Sequence, residues 1–357
     1  MALNLTLSSN QWLLDRTILY VLHGSRAYGT SNATSDYDYK GVAVSPKAYR
    51  NGYMLRFEQQ LVKEPDATIF DIRKFFMLAA DCNPNIIEVL WSDPNAIMHC
   101  TAAGHLLLSN KEEFLSKKAV YTFSGYAVAQ LKRIKSHKKW LLEPPSHQPT
   151  RAEFNLAPLP EIPKQQRDAA LAAIDKRIDS WELDLRDMAA SDKIDILAKI
   201  RDSFVELSIA NDTKFAVAAR LIGYDENLID LLERERKYKE AIKNWQHYNE
   251  WKEKRNEKRA KLEADFGYDT KHGMHLVRLM RMCEEILRDG IVHVRRPDAE
   301  ELLAIRNGAW SYDKLIEYAA AQEQHLFELA KTSTLPKQPN HKKLDALCCE
   351  ITEMVGN

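Results

Sequence analysis

TILYVLHGSRAYGTSNATSDYDYKGVAV, residues 17–44, carries the densest local signals in this chain. The apolar run Ile18 to Leu22 predicts a strand, Gly24 a tight turn with a short helix behind it, and Tyr37 to Val44 a second strand, so the opening reads as α/β. A glycine directly after a strand lets the backbone approach a phosphate, with the following amides pointing at it. The segment His23 to Gly29 does not fit G-x-G-x-x-G, and G-x-x-x-x-G-K-[ST] occurs nowhere, so neither a dinucleotide fold nor a P-loop is supported. Period-2 alternation from Asp36 to Asp38 puts both carboxylates on one face of one strand. Adjacent anions repel, and a divalent cation relieves them. Hard oxygen ligands on so short a span suit Mg²⁺ with substrate phosphates completing its octahedron. The alternative is a solvated D-x-D at a strand end.

Working outward, short β-like runs recur between Tyr53 and Ile72, and helices are expected at Arg73 to Ala80 and Ile86 to Trp91, parted by Asn83, Pro84 and Asn85. A helix from about Lys117 to Leu142 is stopped by Pro144 and Pro145. The charged stretch Lys164 to Leu262 reads as long helices with breaks at Gly223 and around Asn211, and the last third returns to apolar helices. These shifts divide the chain into a catalytic segment 1–110, a helix with Pro-containing connector 111–163, a charged helical region 164–262 and a C-terminal helical region 263–357 that packs on the catalytic cleft. With 357 residues, 45% of them hydrophobic, the chain can bury a substantial core. Lys plus Arg equals Asp plus Glu, 51 each, so no global positive field recruits nucleic acid or an anionic membrane. Nucleic-acid contact therefore requires a local patch. Five cysteines without C-x-x-C spacing argue against a disulfide framework and a zinc site. With no apolar run of bilayer length and no signal-like start, the expectation is a soluble protein of a reducing cytoplasm, with no membrane partner.

Gly24 and Ser25 followed by Asp36, Tyr37 and Asp38 resemble the hG[GS]…Dh[DE]h motif of nucleotidyltransferases of the DNA polymerase beta superfamily. More closely, G-S-R-A-Y-G-T…S-D-Y-D-Y-K-G-V at 24–42, I-R-K-F at 72–75 and N-P-N-I-I-E-V-L at 83–90 resemble the bacterial and phage RNA-repair-pathway polymerase beta family. Q-L-K-R-I-K-S-H-K-K-W-L-L-E-P-P at 130–145 and G-Y-D-T-K-H-G-M-H-L-V-R-L-M-R at 267–281 extend the likeness. The resemblance implies an α+β fold: a small mixed sheet with flanking helices, plus a largely α-helical C-terminal part. It further implies transfer of a nucleoside monophosphate from an NTP, ATP among them, to a hydroxyl, with RNA or a tRNA end as acceptor, inside a bacterial or phage-infected cell. Two Mg²⁺ ions, or Mn²⁺, would be held by Asp36 and Asp38, activating the acceptor hydroxyl and stabilising charge on the α-phosphate. The family's third carboxylate maps to Asp66, with Asp71 as the alternative. For Asp71 the competing reading is an N-cap of the helix starting at Ile72. Gly24, Ser25, Arg26 and Lys40 would contact the nucleotide. Arg73 and Lys74 stand in a helix's first turn, where the dipole disfavours cations, which points to some anion nearby, phosphate being one candidate and Glu88 another.

The helix 271–288 is apolar nearly all round yet carries Lys271, His275 and Arg278 at spacings of four and three. A buried helix with a cationic edge must face carboxylates or a bound anion. One reading is a phosphate- or base-binding wall of the same cleft; the others are a salt-bridge seam for the trio and a satisfied core histidine for His275. Lys132, Arg133, Lys135, Lys138 and Lys139 on one helix fit either an RNA-guiding face or a solvated one. Lys252 to Lys261 reads as an exposed helix with internal ion pairs. Two competitors to RNA modification stand: transfer to a protein or small-molecule hydroxyl, which the zero net charge favours, and a non-catalytic nucleotide-binding module, against which Asp36 and Asp38 count.

Overall fold

The computed structural model describes Leu7 and residues 9–183, 215–216, 218–220, 222–255 and 257–356. Its elements are α1 (Leu13–Arg16), β1 (Thr17–His23), α2 (Gly24–Tyr28), β2 (Asp38–Ala43), α3 (Lys47–Asn51), β3 (Gln59–Val62), β4 (Ala67–Asp71), α4 (Ile72–Ala80), α5 (Pro84–Leu90), β5 (Ile97–Cys100), α6 (Ala102–Ser109) and α7 (Ala119–Leu142). These are followed by α8 (Lys164–Leu183), α9 (Glu226–Glu253), α10 (Glu257–Phe266), α11 (Thr270–Asp289), α12 (Ala299–Arg306), α13 (Tyr312–Thr332) and α14 (His341–Val355). The fold is α+β, as the resemblance implied: a five-stranded mixed sheet in the order β3-β4-β2-β1-β5, flanking helices and a helical C-terminal part. Among the described residues no helix is long and apolar enough to cross a membrane.

The sheet sorts its side chains by alternation. Leu19 and Val21 of β1 join the large core made with α4, α5, α6, α7 and α11, whereas Tyr20 between them joins a small cluster with Leu13, Phe57 and Ile69 on the other face. β2 pairs antiparallel with β1 and parallel with β4, so the start of β2 lies between the end of β1 and the start of β4. That arrangement builds the site. β2 begins at Asp38; Asp36 precedes it in irregular backbone, so the expectation of both carboxylates on one strand is corrected.

The chain forms two compact units, one of Met1–Lys138 with Lys258–Asn357 and one of Lys139–Glu257. These limits differ from the sequence divisions at 110, 163 and 262, because α7 and the C-terminal helices share one core with the sheet. In the second unit Ile174, Phe215, Ile229 and Leu232 pack together, and the buried Glu235 takes ion pairs from Arg151 and Arg167. Gly223 stands in the break before α9 at φ 95°, and the break expected around Asn211 lies outside the described residues. Lys252 to Lys261 is two helices rather than one, since α9 ends at Glu253 and α10 begins at Glu257.

Candidate active site

β1 delivers the chain to His23 in extended form, and Gly24 then turns it at φ +69°, a left-handed conformation that L side chains rarely adopt. A Cβ on Gly24 would lie 2.3 Å from Asp38 Oδ2, so glycine is required here both by backbone conformation and by space. The register explains that proximity: His23, the last residue of β1, stands opposite Asp38, the first of β2. On the other side of β2 the Tyr39 amide donates to the Asp66 carbonyl at 2.9 Å, extending the parallel pairing and bringing Asp66 beside the same strand end. Gly24, Ser25, Asp38, Lys40 and Asp66 all line one cavity of about 920 Å³. No described residue hydrogen-bonds or ion-pairs with the carboxylates of Asp38 or Asp66. Two such hard-oxygen donors, facing a cavity and left without a protein cation in contact, fit a hard divalent ion whose remaining ligands come from substrate.

The other expected site residues divide. Asp36 is exposed and does not line the cavity. Asp71 lies at the far end of β4 from Asp66, buried, its Oδ1 accepting from the Arg73 amide as N-cap of α4 and its Oδ2 accepting from Ser45 Oγ at 2.6 Å. Both of its oxygens are thus used structurally. Arg73 pairs with that same Asp71 at 3.1 Å and Lys74 with Glu58 at 2.7 Å, and neither lines the cavity, so carboxylates rather than nucleotide or Glu88 answer their charge. Arg26 also stays outside: its guanidinium lies 3.8 Å above the Tyr37 ring and donates to the Ser35 carbonyl, pinning the loop that carries Asp36.

Lys271, His275 and Arg278 do line the cavity with the aspartates. Their charges are answered differently. Arg278 is 5% exposed, donates to Glu88 of α5 and stacks its guanidinium 3.9 Å over Tyr28. Glu88 is fully buried and also accepts from Tyr28 Oη at 2.6 Å and from His23 Nε2 at 3.0 Å. Burial pushes the Glu88 carboxyl up, but the Arg278 charge, the His23 hydrogen bond and Lys40 together hold it well below the usual carboxylate range. For Arg278, then, the counter-anion is a carboxylate of the protein, the salt-bridge reading rather than the phosphate-binding one. His275 is pushed far below its ordinary value by burial, then by Arg278 and Lys271, so it is neutral near pH 7. Lys40 donates to the Asn85 carbonyl at 2.8 Å, and burial brings it down to about 8. Lys271 makes no ion pair with any described residue.

Sequence reasoning missed the second wall. Thr122, Gly125, Tyr126, Ala129 and Arg133 line the cavity from one face of α7, a stripe at helical spacing that could have been read as facing an opening. Of the α7 cations only Arg133 reaches the lining, while Lys138 sits 3.9 Å over the Tyr312 ring. Close by, His137, Glu263 and Asp269 bring ligand atoms within 4.8 Å of one another, a grouping that the expected aspartate trio does not form. Arg259 pairs with Asp269 there at 3.4 Å.

Residues 3–143 match the model of the RNA repair pathway DNA polymerase beta family. No curated protein and no solved structure matches the chain. The family match covers the Gly24 turn, both cavity aspartates and the α7 wall; it supports the polymerase beta-like family read from the motifs, and with it nucleotidyltransferase chemistry.

Proposed function

We propose that this protein transfers a nucleoside monophosphate from an NTP to a hydroxyl of RNA, a tRNA end being the narrower form, with Mg²⁺ or Mn²⁺ as cofactor. The observation that carries the reading is the convergence of Asp38 and Asp66, unpaired by any described residue, with Gly24 and Ser25 in one cavity. Asp38 and Asp66 would hold the divalent ions, with Asp36 approaching from the loop ahead of β2 as the remaining ligand. Bound there, the metal would lower the pKa of the acceptor hydroxyl and offset charge on the α-phosphate. The chain's own part is positioning. Gly24 leaves its backbone open beside Asp38, Ser25 offers a hydroxyl to the phosphates, and Lys40, still mostly protonated at neutral pH, supplies a compact cation. Neutral His275 offers a hydrogen bond without adding charge, and Arg278 holds the Tyr28 and Glu88 side of the cavity in place.

The zero net charge favours a second reading, transfer to a protein hydroxyl, since little general nucleic-acid affinity is available. Incubating the protein with each α-labelled NTP, Mg²⁺, total RNA and a protein extract separates the two by which macromolecule takes the label. Label on RNA that disappears with Asp38→Ala is the expected result. Equal labelling by wild type and Asp38→Ala would overturn the assignment.

A further inference from the structure

α7 and α11 give the cavity that the aspartates line a wall of a different kind. Tyr126 is exposed, with its hydroxyl tethered by Asn83 Nδ2 at 3.0 Å. Gly125 beside it occupies a helix interior, where glycine is unfavourable relative to alanine. Nothing structural asks for it: its φ is not left-handed and a Cβ would meet no atom within 4 Å. The absent side chain leaves α7 bare towards the cavity next to an aromatic ring. Two turns further along the same face stands Arg133, and from α11 comes Lys271; neither forms a hydrogen bond or ion pair with any described residue. Arg259 and Arg306 repel Lys271, against the attraction of Asp269 and Asp38, and the Arg133 charge is felt by His272, the neighbour of Lys271. Arg259 has Asp269, but Arg133 and Lys271 add positive charge that no described carboxylate contacts, which is costly unless an anion joins them. An aromatic ring, a bare stretch of helix beside it and cations without a described partner form the combination that binds single-stranded nucleic acid through base stacking and backbone contacts.

We propose that this wall is the acceptor subsite: Tyr126 stacks a base of single-stranded RNA across Gly125, while Arg133 and Lys271 hold its phosphates. The assignment rests on the nucleotidyltransferase reading only for the direction in which the RNA end points, towards Asp38 and Asp66. It moves Lys271 from the NTP to the acceptor, and it supplies the local patch that a chain of zero net charge needs.

The test is fluorescence anisotropy of a 5′-fluorescein RNA 10-mer, without NTP, over a salt series, alongside calorimetric binding of a non-hydrolysable ATP analogue with Mg²⁺. Lys271→Ala and Arg133→Ala are each expected to weaken RNA binding about tenfold and to reduce the salt slope by roughly 0.7, the single-strand increment per phosphate contact. Tyr126→Ala should weaken it about tenfold at an unchanged slope, with Tyr126→Phe near wild type. Affinity for the ATP analogue should stay within about twofold, and melting temperatures should be retained. Loss of ATP-analogue affinity with RNA binding intact would assign the wall to the NTP and overturn the proposal, as would no change in either ligand. Displacement of the RNA by poly-glutamate as effectively as by unlabelled RNA of equal charge would overturn it too. Because no transfer is read, a wild type that binds RNA at this wall yet labels nothing would sink the proposed activity and leave the subsite standing.

Discussion

Replacing Glu88 by alanine is the perturbation whose size the structure defines best. The carboxylate is fully buried and takes Tyr28 Oη, His23 Nε2 and the Arg278 guanidinium. Deleting it strands Arg278, 5% exposed and anchored on an α11 that cannot move without opening the core. Breaking one side of a buried ion pair costs about 3–5 kcal/mol, because the surviving charge stays buried and uncompensated. For a unit of this size that is roughly a 10 °C fall in melting temperature, at about 2–4 °C per kcal/mol. Removing both charges changes the sign of the argument, since apolar groups of similar volume restore packing with nothing left to desolvate. Glu88→Leu combined with Arg278→Met should therefore recover most of the loss. Differential scanning calorimetry of wild type, Glu88→Leu, Arg278→Met and the double variant gives the coupling directly, with Glu88→Ala alongside for the cost of the bare deletion. A Glu88→Ala protein melting within about 2 °C of wild type, or a double variant no better than the singles, would refute the reasoning.

Asp66→Ala is expected to abolish label transfer at an unchanged melting temperature, whereas Asp71→Ala should lose about 1–2 kcal/mol of stability through its cap and keep its turnover at low temperature; turnover by Asp66→Ala would move the metal site elsewhere. Gly24→Ala should lower turnover by at least tenfold, because a Cβ 2.3 Å from Asp38 Oδ2 must push that carboxylate aside, and unchanged kinetics would show that the turn is not part of the site. For Lys40 the folded pKa of about 8 lies below the ordinary 10.5, so the unfolded chain binds the extra proton. The penalty is therefore full below pH 8, and stability rises as pH climbs from about 8 to about 10.5. Lys40→Met should flatten that rise in a pH series of melting temperatures. In the same window the wild-type KM for NTP should climb as the cation is lost, and Lys40→Arg should delay that climb; a flat KM to pH 9.5 would remove Lys40 from the nucleotide site.

The sequence exposed those parts of the site that depend on neighbours in the chain. Gly24 and Asp38 were readable because one turn and one strand start fix both. Asp36 was misplaced because alternation was extended two residues beyond the strand, into backbone held by Arg26 on Ser35 and Tyr37. The anion expected for Arg73 proved to be its own N-cap, Asp71, a local answer that an i−2 carboxylate could have suggested. Glu88 was the harder case. A lone acid in the apolar helix Pro84–Leu90 raises the same energetic question as Arg278 in α11, but the two stand 190 residues apart, and no local period links them. The charge state of His275 was equally hidden, since burial in the assembled unit decides it.

The charges that remain unpaired are the informative ones. Elsewhere in this unit carboxylates and cations meet directly: Arg296 on Glu285 and Asp298, Arg281 on Asp298 and Glu301. Around the cavity Arg278 and Arg259 also find carboxylates, but other charges have no such contact among the described residues. Among these are Asp38 and Asp66 at the strand ends and Arg133 and Lys271 on α7 and α11. A cation suits the aspartates, and a polyanion that reaches both the cation and the α7 and α11 wall suits the rest. In the proposed reading a nucleoside triphosphate alone would need only the cation of the aspartates and Lys40, and the second set of cations, beside an exposed aromatic ring, is what the proposed acceptor subsite rests on.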